Sequence, residues 1–122
     1  MQRREAGMAA EAEACRYLEA RGLVLLEKNF RCRGGEIDLV MRDGRCVALV
    51  EVRLRSDPRF GGAAGSVGFR KQQRLAVAAR YLLLTRHALR QFPLRFDVVT
   101  LEPGNAGLRI EWLRDAFRIE NG

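Results

Sequence analysis

The sequence has few cysteines, one histidine and no long apolar run, and each shortage removes a class of function. Cys15, Cys32 and Cys46 are the only cysteines in 122 residues. Their odd number and the lack of CxxC spacing argue against a disulfide framework or a zinc ribbon. The single histidine, His87, has no serine or cysteine motif beside it that would indicate a nucleophile and imidazole pair. No apolar stretch approaches the roughly 18 residues of a membrane span, so we expect a soluble cytoplasmic protein with no membrane partner.

Lysine is also scarce, and arginine supplies nearly all of the positive charge. The formal net charge is +7, from 22 lysine and arginine residues against 15 aspartate and glutamate residues. Guanidinium groups bind phosphates by charge and by bidentate hydrogen bonds, so nucleic acid is the expected partner. Arginine richness also accompanies GC-rich genomes without any functional reason, and that alternative stays open.

The pattern of apolar and polar residues predicts a single domain over residues 1–122 with the order αβββαββ. The predicted helices cover residues 5–21 and 70–86. The predicted strands cover residues 23–30, 36–42, 45–53, 94–102 and 108–113. A strand, a long helix and a further strand imply a right-handed crossover, so the strand of residues 94–102 should lie parallel to one hairpin strand. The expected fold class is therefore α/β, a mixed central sheet flanked by helices, and the glycine-rich segment 54–68 is expected to be flexible.

The two strands on either side of Asp43-Gly44 predict a hairpin that brings acidic residues together. If those two residues form the loop, Glu36 faces Glu51, and Asp38 lies diagonal to Glu51 at roughly 7 to 8 Å. Two carboxylates at this separation can share a cation. The alternative is a half-solvated sheet whose carboxylates pair with arginines. The opposite face is wholly apolar and predicts a core surface made of Ile37, Leu39, Met41, Cys46, Ala48, Val50 and Val52.

Each predicted helix carries one charged residue on the stripe that should face inward. Glu11 lies one turn before Ala14 and two turns before Leu18, and a buried carboxylate needs a partner. Alternatively, Glu11 lies at the edge of the stripe and interacts favourably with the dipole of the helix N-terminus. Lys71 lies one turn before Leu75, which places its ammonium near the edge of the sheet. A surface lysine whose stem covers apolar residues would give the same pattern.

The ordered series of these residues resembles the bacterial YraN family over nearly the whole chain. The matching positions are Gly7-x3-Glu11-x2-Ala14-x2-Tyr17-Leu18, Gly22, Asn29-x-Arg31, Gly35-Glu36-Ile37-Asp38-Leu39, Val50-Glu51-Val52-Arg53-x-Arg55, Phe60-Gly61, Lys71-x2-Arg74-Leu75, Tyr81-Leu82 and Arg95-Phe96-Asp97-Val98-Val99. That family looks like a member of the PD-(D/E)xK nucleases, which are related to archaeal Holliday junction resolvases. The resemblance implies a restriction-endonuclease-like fold and a Mg²⁺- or Mn²⁺-dependent endodeoxyribonuclease that cleaves structured or branched DNA. By likeness to the resolvases, symmetric junctions would suit a homodimer.

The resemblance also implies a role for each matched residue. The catalytic residues would be Glu11, Asp38, Glu51 and Arg53. Hard oxygen ligands suit Mg²⁺, and they would come from Asp38, Glu51 and the backbone carbonyl of Val52. The nucleic-acid-binding residues would be Arg55, Lys71 and Arg74.

Arg53 departs from the family pattern, because it stands where the E-x-K element has lysine. Arginine cannot give up its proton at ordinary pH, although its guanidinium can still stabilise a charged phosphate. Three hypotheses therefore follow: a metal-dependent endonuclease, a nucleic-acid-binding module with a degenerate nuclease site, and an adaptor whose charged face docks a protein.

Overall fold

A five-stranded mixed sheet with a helix against each face forms the protein in the computed structural model, which describes residues 3–55 and 67–119. The elements in chain order are α1 (Arg3–Glu19), β1 (Val24–Cys32), β2 (Gly35–Asp43), β3 (Cys46–Leu54), α2 (Phe69–Thr85), a 3-10 turn (His87–Gln91), β4 (Leu94–Gly104) and β5 (Gly107–Phe117). Four of the five strands are longer than the pattern predicted, β3 has the predicted length but begins one residue later, and both helices begin and end earlier. Most of the segment predicted to be flexible, residues 56–66, lies outside the described residues.

The strands lie side by side in the order of the chain, from β1 to β5. Every neighbouring pair is antiparallel except β3 and β4, which are parallel from Val47 opposite Leu94 to Leu54 opposite Leu101. The chain between those two strands carries α2, as a crossover requires. The prediction that the strand of residues 94–102 lies parallel to a hairpin strand is therefore confirmed.

Two apolar clusters hold the helices against the sheet, one on each face. The α1 cluster includes Ala10, Ala14, Cys15, Leu18, Leu39, Met41, Ala48 and Val50. The α2 cluster includes Ile37, Val40, Val47, Leu49, Leu75, Ala78, Ala79, Leu82 and Val98. Burial of a leucine, isoleucine or valine side chain contributes roughly 1.5 to 3 kcal/mol, so these faces supply most of the favourable free energy of folding. No helix in the described part of the chain is long and apolar enough to cross a membrane.

The hairpin loop is Gly44-Arg45, and the predicted loop Asp43-Gly44 is wrong by one position. Asp43 pairs with Cys46, so the register between β2 and β3 is shifted by two residues from the prediction. Gly44 has a φ of +59°, whereas Arg45 does not have a positive φ. Glycine in that conformation at the first loop position is typical of a type II′ turn, which twists as the strands do. A shift of two keeps each side chain on its face but changes its partner, and the predicted Glu36 to Glu51 pairing is therefore wrong.

A buried aspartate fixes β4 against β5 and against the hairpin. Asp97 is completely buried and accepts hydrogen bonds from Arg95, from the Trp112 indole at 3.0 Å and from the backbone N–H of Asp115 at 2.9 Å. Arg95 also pairs with Asp43 at 2.6 Å. Asp115 has a φ of +49° and lies where the β4–β5 register shifts, so Asp97 satisfies the backbone at a bulge.

Gly35 allows α2 to approach the start of β2 very closely. A Cβ at this position would lie 2.1 Å from the backbone carbonyl oxygen of Arg74, which is far inside van der Waals contact. Only glycine fits there without displacing the helix. This contact sets the height of α2 above the strand that carries Asp38.

Candidate functional site

Asp38 lies where the regular pairing between β2 and β3 ends. The ladder reaches Leu39 opposite Val50, and the backbone N–H of Val52 donates instead to Asp38 Oδ2 at 2.8 Å. Ile37 packs in the α2 cluster, whereas Leu39 packs in the α1 cluster. Strict alternation predicted both on one face, so the prediction for Ile37 is wrong and the alternation changes at Asp38. The side chain of Asp38 therefore takes the place of a backbone acceptor.

Glu51 is a buried carboxylate directly beside Asp38. Glu51 is 6% exposed, and its Oε1 atom has no hydrogen-bond partner among the described residues. Burial, followed by the charge and the hydrogen bond of Asp38, raises the pKa of Glu51 to about 7. The observed register brings the two residues closer than the diagonal arrangement predicted from sequence. Two acids in contact, one of them buried, are costly unless a proton or cation lies between them.

Lys71 supplies the cation next to this pair. Lys71 lies in the first turn of α2. Its Nζ is 3.4 Å from Glu51 Oε2, and its side chain is 29% exposed. Its charge lowers the pKa of Glu51, but less than burial and Asp38 raise it. The predicted position of this ammonium near the sheet agrees with the contact. Because only two of the chain's 22 cationic residues are lysines, the more compact ammonium group is unusual in this chain.

Glu11 approaches Asp38 from α1 and forms the third acid of the neighbourhood. Burial and the charge of Asp38 raise the pKa of Glu11, while a hydrogen bond from the Asn29 side chain offsets part of that rise. Glu11 is half-buried, in line with its predicted place on the inward stripe. Four of the residues predicted to act together, Glu11, Asp38, Glu51 and Lys71, are therefore linked by charge or contact.

Asn29 belongs to the family pattern, but the sequence analysis assigned it no role. It lies on β1 between Lys28, which pairs with Leu39, and Phe30, which pairs with Ile37, so it stands opposite Asp38. Its φ is +53°, a conformation that asparagine tolerates better than most residues. Backbone strain of this kind gathers at functional sites. An asparagine inside an apolar, β-prone run was the available signal.

The other predicted residues lie further along β3 and α2. Arg53 is two residues after Glu51, so it projects from the same face of β3, and its side chain is exposed. Arg55 follows the end of the strand, where its backbone N–H donates to the carbonyl of Leu101 at 2.7 Å. Arg74 is exposed one turn after Lys71. The catalytic, metal and nucleic-acid roles of all these residues remain predictions.

Comparison with known proteins decides the family. The model of the uncharacterised protein family UPF0102 matches residues 10–101. The chain belongs to this family. It is 49% identical over 119 residues to a UPF0102 protein of Xanthomonas campestris pv. campestris (strain B100), covering 98% of this chain and 96% of the relative. It is 50% identical over 113 residues to one of Pseudomonas entomophila (strain L48), covering 92% of each. The predicted identification as a YraN-family chain is confirmed.

The acidic neighbourhood of this UPF0102 chain fits a divalent cation held by few protein ligands. Within residues 3–55 and 67–119, no three carboxylate, thiol or imidazole groups are arranged as a ready metal cage. Asp38 and Glu51 are in contact, and the unpartnered Oε1 of Glu51 is a buried oxygen in need of a donor or a cation. Mg²⁺ is commonly bound by one or two carboxylates with water at its other positions. The donor set therefore suits Mg²⁺ or Mn²⁺ better than zinc, whose sites use nitrogen and sulfur.

Proposed function

We propose that this UPF0102 protein is a metal-dependent, nucleic-acid-binding endonuclease that acts on phosphodiester bonds of structured or branched DNA. The carrying observation is the buried oxygen of Glu51, which has no partner among the described residues and lies in a carboxylate pair with Asp38. Such a pair costs free energy, and carboxyl groups with perturbed pKa values cluster at functional sites. A restriction-endonuclease-like fold, with its acids on a central hairpin, is part of the same proposal.

In this proposal Asp38, Glu51 and the backbone carbonyl of Val52 hold the cation. The bound ion would neutralise charge on the attacked phosphate and favour ionisation of water near neutral pH. Asp38 is held in place for this task, since its Oδ2 accepts the backbone N–H of Val52. Glu11 flanks the pair from α1 and adds negative charge that favours a cation.

Four cationic side chains would contact the phosphates. Arg53 lies on β3 and Arg55 follows the end of that strand, while Lys71 and Arg74 lie one turn apart on α2. Arg53 retains an electrostatic role but cannot act as a base. Lys71 is the cation in contact with Glu51, and in this proposal its ammonium orients the reacting phosphate.

The second candidate function is a nucleic-acid-binding module without cleavage. Arg53 favours it, because the residue removes the proton-accepting group that the strand lysine would offer. The fold, the net charge of +7 and the arginines on β3 and α2 would serve binding equally well.

Metal binding is the first test. Isothermal titration calorimetry with Mg²⁺ and with Mn²⁺ should detect binding to the wild type. The affinity should be at least tenfold lower for Asp38→Asn and for Glu51→Gln. Glu13→Gln is the matched control, since Glu13 is a partly exposed carboxylate paired with Arg16. Equal affinities for all four proteins would refute the metal site and leave the adaptor hypothesis.

Cleavage is the second test. Purified protein with Mn²⁺ should cut a four-way junction or a flap in preference to linear duplex, and Asp38→Asn should remove the product and so exclude a contaminant. Arg53→Lys separates the two functions. Activity in that variant with a silent wild type favours the binding module, whereas activity in both shows that arginine suffices.

We also propose that the protein acts in the cytoplasm and that a homodimer recognises symmetric junctions. Two sites related by a twofold axis would match two equivalent strands. Sedimentation velocity with and without a four-way junction tests this, and a complex with one chain per junction would contradict it.

A further inference from the structure

A cleft of about 220 Å³ lies between the turn that joins β1 to β2 and the middle of α2. Two arginines contribute to its lining, Arg31 from β1 and Arg74 from α2. Its lining residues are Arg31, Cys32, Gly34, Gly35, Glu36 and Arg74. The cleft therefore combines two guanidinium groups with the exposed backbone of Gly34, while Gly35 is buried against α2.

The positive charge in this cleft is weakly compensated. Arg31 Nε lies 3.4 Å from Glu36 Oε2, but these side chains are 69% and 39% exposed, and an exposed pair of this kind contributes at most about 1 kcal/mol. Arg74 makes no ion pair with another residue in the part of the chain that the structure describes. An anion with better geometry can therefore replace Glu36 as the partner of Arg31.

The cleft adjoins the carboxylate site. Lys71, which contacts Glu51, and Arg74, which lines the cleft, are three residues apart on α2, and side chains at this spacing lie roughly 5 to 6 Å apart. Arg31 and Glu36 also lie close enough to Glu11 for their charges to affect its pKa. A strand that brings one phosphate to Lys71 would bring a neighbouring phosphate within reach of Arg74.

We propose that this cleft binds a second phosphate of the same nucleic-acid strand, adjacent to the phosphate at the carboxylate site. Arg31 and Arg74 hold it by charge-assisted hydrogen bonds, for which guanidinium geometry is well suited. Glu36 limits the affinity, because its carboxylate must leave Arg31 and remains near the bound anion. The position of the neighbouring phosphate rests on the proposed function, whereas the capacity of the cleft to bind phosphate does not.

Salt-dependent DNA binding tests the subsite. Fluorescence anisotropy with a labelled four-way junction, in Ca²⁺ to prevent cleavage, gives the dependence of affinity on salt for the wild type, Arg31→Gln and Arg74→Gln. Each variant should lose one phosphate contact, which lowers the slope by about 0.9 and the affinity by roughly three- to tenfold. Arg80→Gln is the matched control, because Arg80 is an exposed arginine of α2 that does not line the cleft. Glu36→Gln should strengthen binding, a direction that general damage to the fold would not produce.

Inorganic phosphate separates this inference from the proposed function. Titration followed by NMR should shift the backbone amide signals of Gly34 and Gly35 in the wild type but not in the double variant of Arg31 and Arg74. These shifts without any DNA binding would support the cleft and overturn the proposed function. DNA binding with unchanged slope and affinity in both single variants would overturn the cleft and leave the proposed function standing. If phosphate does not shift the two glycine signals, the cleft is not a phosphate site.

Discussion

Replacing Glu51 with glutamine should stabilise the protein at alkaline pH, although the substitution removes the ion pair between Glu51 and Lys71. Burial and the neighbouring Asp38 raise the pKa of Glu51 from 4.5 to about 7 in the folded state. A carboxyl with a raised pKa prefers its proton in the folded protein. Its contribution to stability is therefore fully present below pH 4.5 and is lost as the pH rises through about 7. Glutamine keeps the shape of the side chain without this titration.

The magnitude follows from the size of the pKa shift. A rise of about 2.5 units, at 1.36 kcal/mol for each unit, corresponds to about 3 kcal/mol between the protonated and the fully ionised folded states. Because part of this shift comes from the charge of Asp38 and Lys71 opposes it, we expect Glu51→Gln to gain about 1 to 3 kcal/mol at pH 8. The gain should fall below about 1 kcal/mol at pH 5, where the folded wild type already carries the proton.

Urea unfolding at pH 5 and pH 8, in EDTA, measures the free energy of unfolding of both proteins. Glu13→Gln is the control and should change stability by less than about 0.5 kcal/mol at either pH. Added Mg²⁺ should then stabilise the wild type at pH 8 and leave Glu51→Gln unaffected, since the ion binds only the intact carboxylate pair. A glutamine variant that is less stable than the wild type at pH 8, or equally changed at both pH values, would refute the reasoning.

Three further substitutions probe the frame of the site, each measured by urea unfolding. Gly35→Ala should destabilise the protein by more than about 2 kcal/mol, because its Cβ would lie 2.1 Å from the Arg74 carbonyl oxygen. Gly7→Ala in α1 should stabilise it by about 0.5 to 1 kcal/mol, because a Cβ there would have no atom within 4 Å. Equal effects of the two substitutions would contradict the close contact at Gly35. Asp97→Ala should cost about 3 to 5 kcal/mol, because it leaves the buried end of Arg95 and an indole N–H without their acceptor, and a loss under 1 kcal/mol would show the network to be dispensable. Asn29→Ala should be about 1 kcal/mol less stable than Asn29→Gly, because glycine adopts a φ of +53° at less cost, and the opposite order would show that the backbone conformation is not strained.

The elements were predictable because each follows from a local pattern. The core stripe of α2, which includes Leu75 and Leu82, is buried as its helical spacing predicted. The parallel position of β4 follows from the length and hand of the crossover, whatever the details of the loop. An error of two in register leaves Leu39, Met41, Ala48 and Val50 together on the face of α1, since side chains alternate with a period of two, and Ile37 is the exception.

The register and the exact geometry of the acids were not predictable from these patterns. Asp43-Gly44 and Gly44-Arg45 are both acceptable two-residue loops, and the choice between them depends on how β3 packs between β2 and β4. The alternation of side chains between the two faces of β2 changes at Asp38. It depends on tertiary contacts, because Ile37 packs in the α2 cluster whereas Leu39 packs in the α1 cluster. The left-handed conformation of Asn29 likewise depends on its neighbours in space, and the local sequence indicates only that asparagine tolerates it.

The single parallel pair in the sheet also determines the order in which the site can assemble. Asp38 and Glu51 are brought together by a hairpin of adjacent strands, whereas β3 and β4 pair residues such as Val47 and Leu94 that are 47 positions apart in the sequence. Short loops close first at low entropic cost, so we expect hairpin substitutions to have high φ-values and substitutions in β4 to have low ones. The two acids would then meet before α2 brings Lys71 to them. Their repulsion would act on the folding rate as well as on the final stability, and raising the pH should slow folding of the wild type more than that of Glu51→Gln.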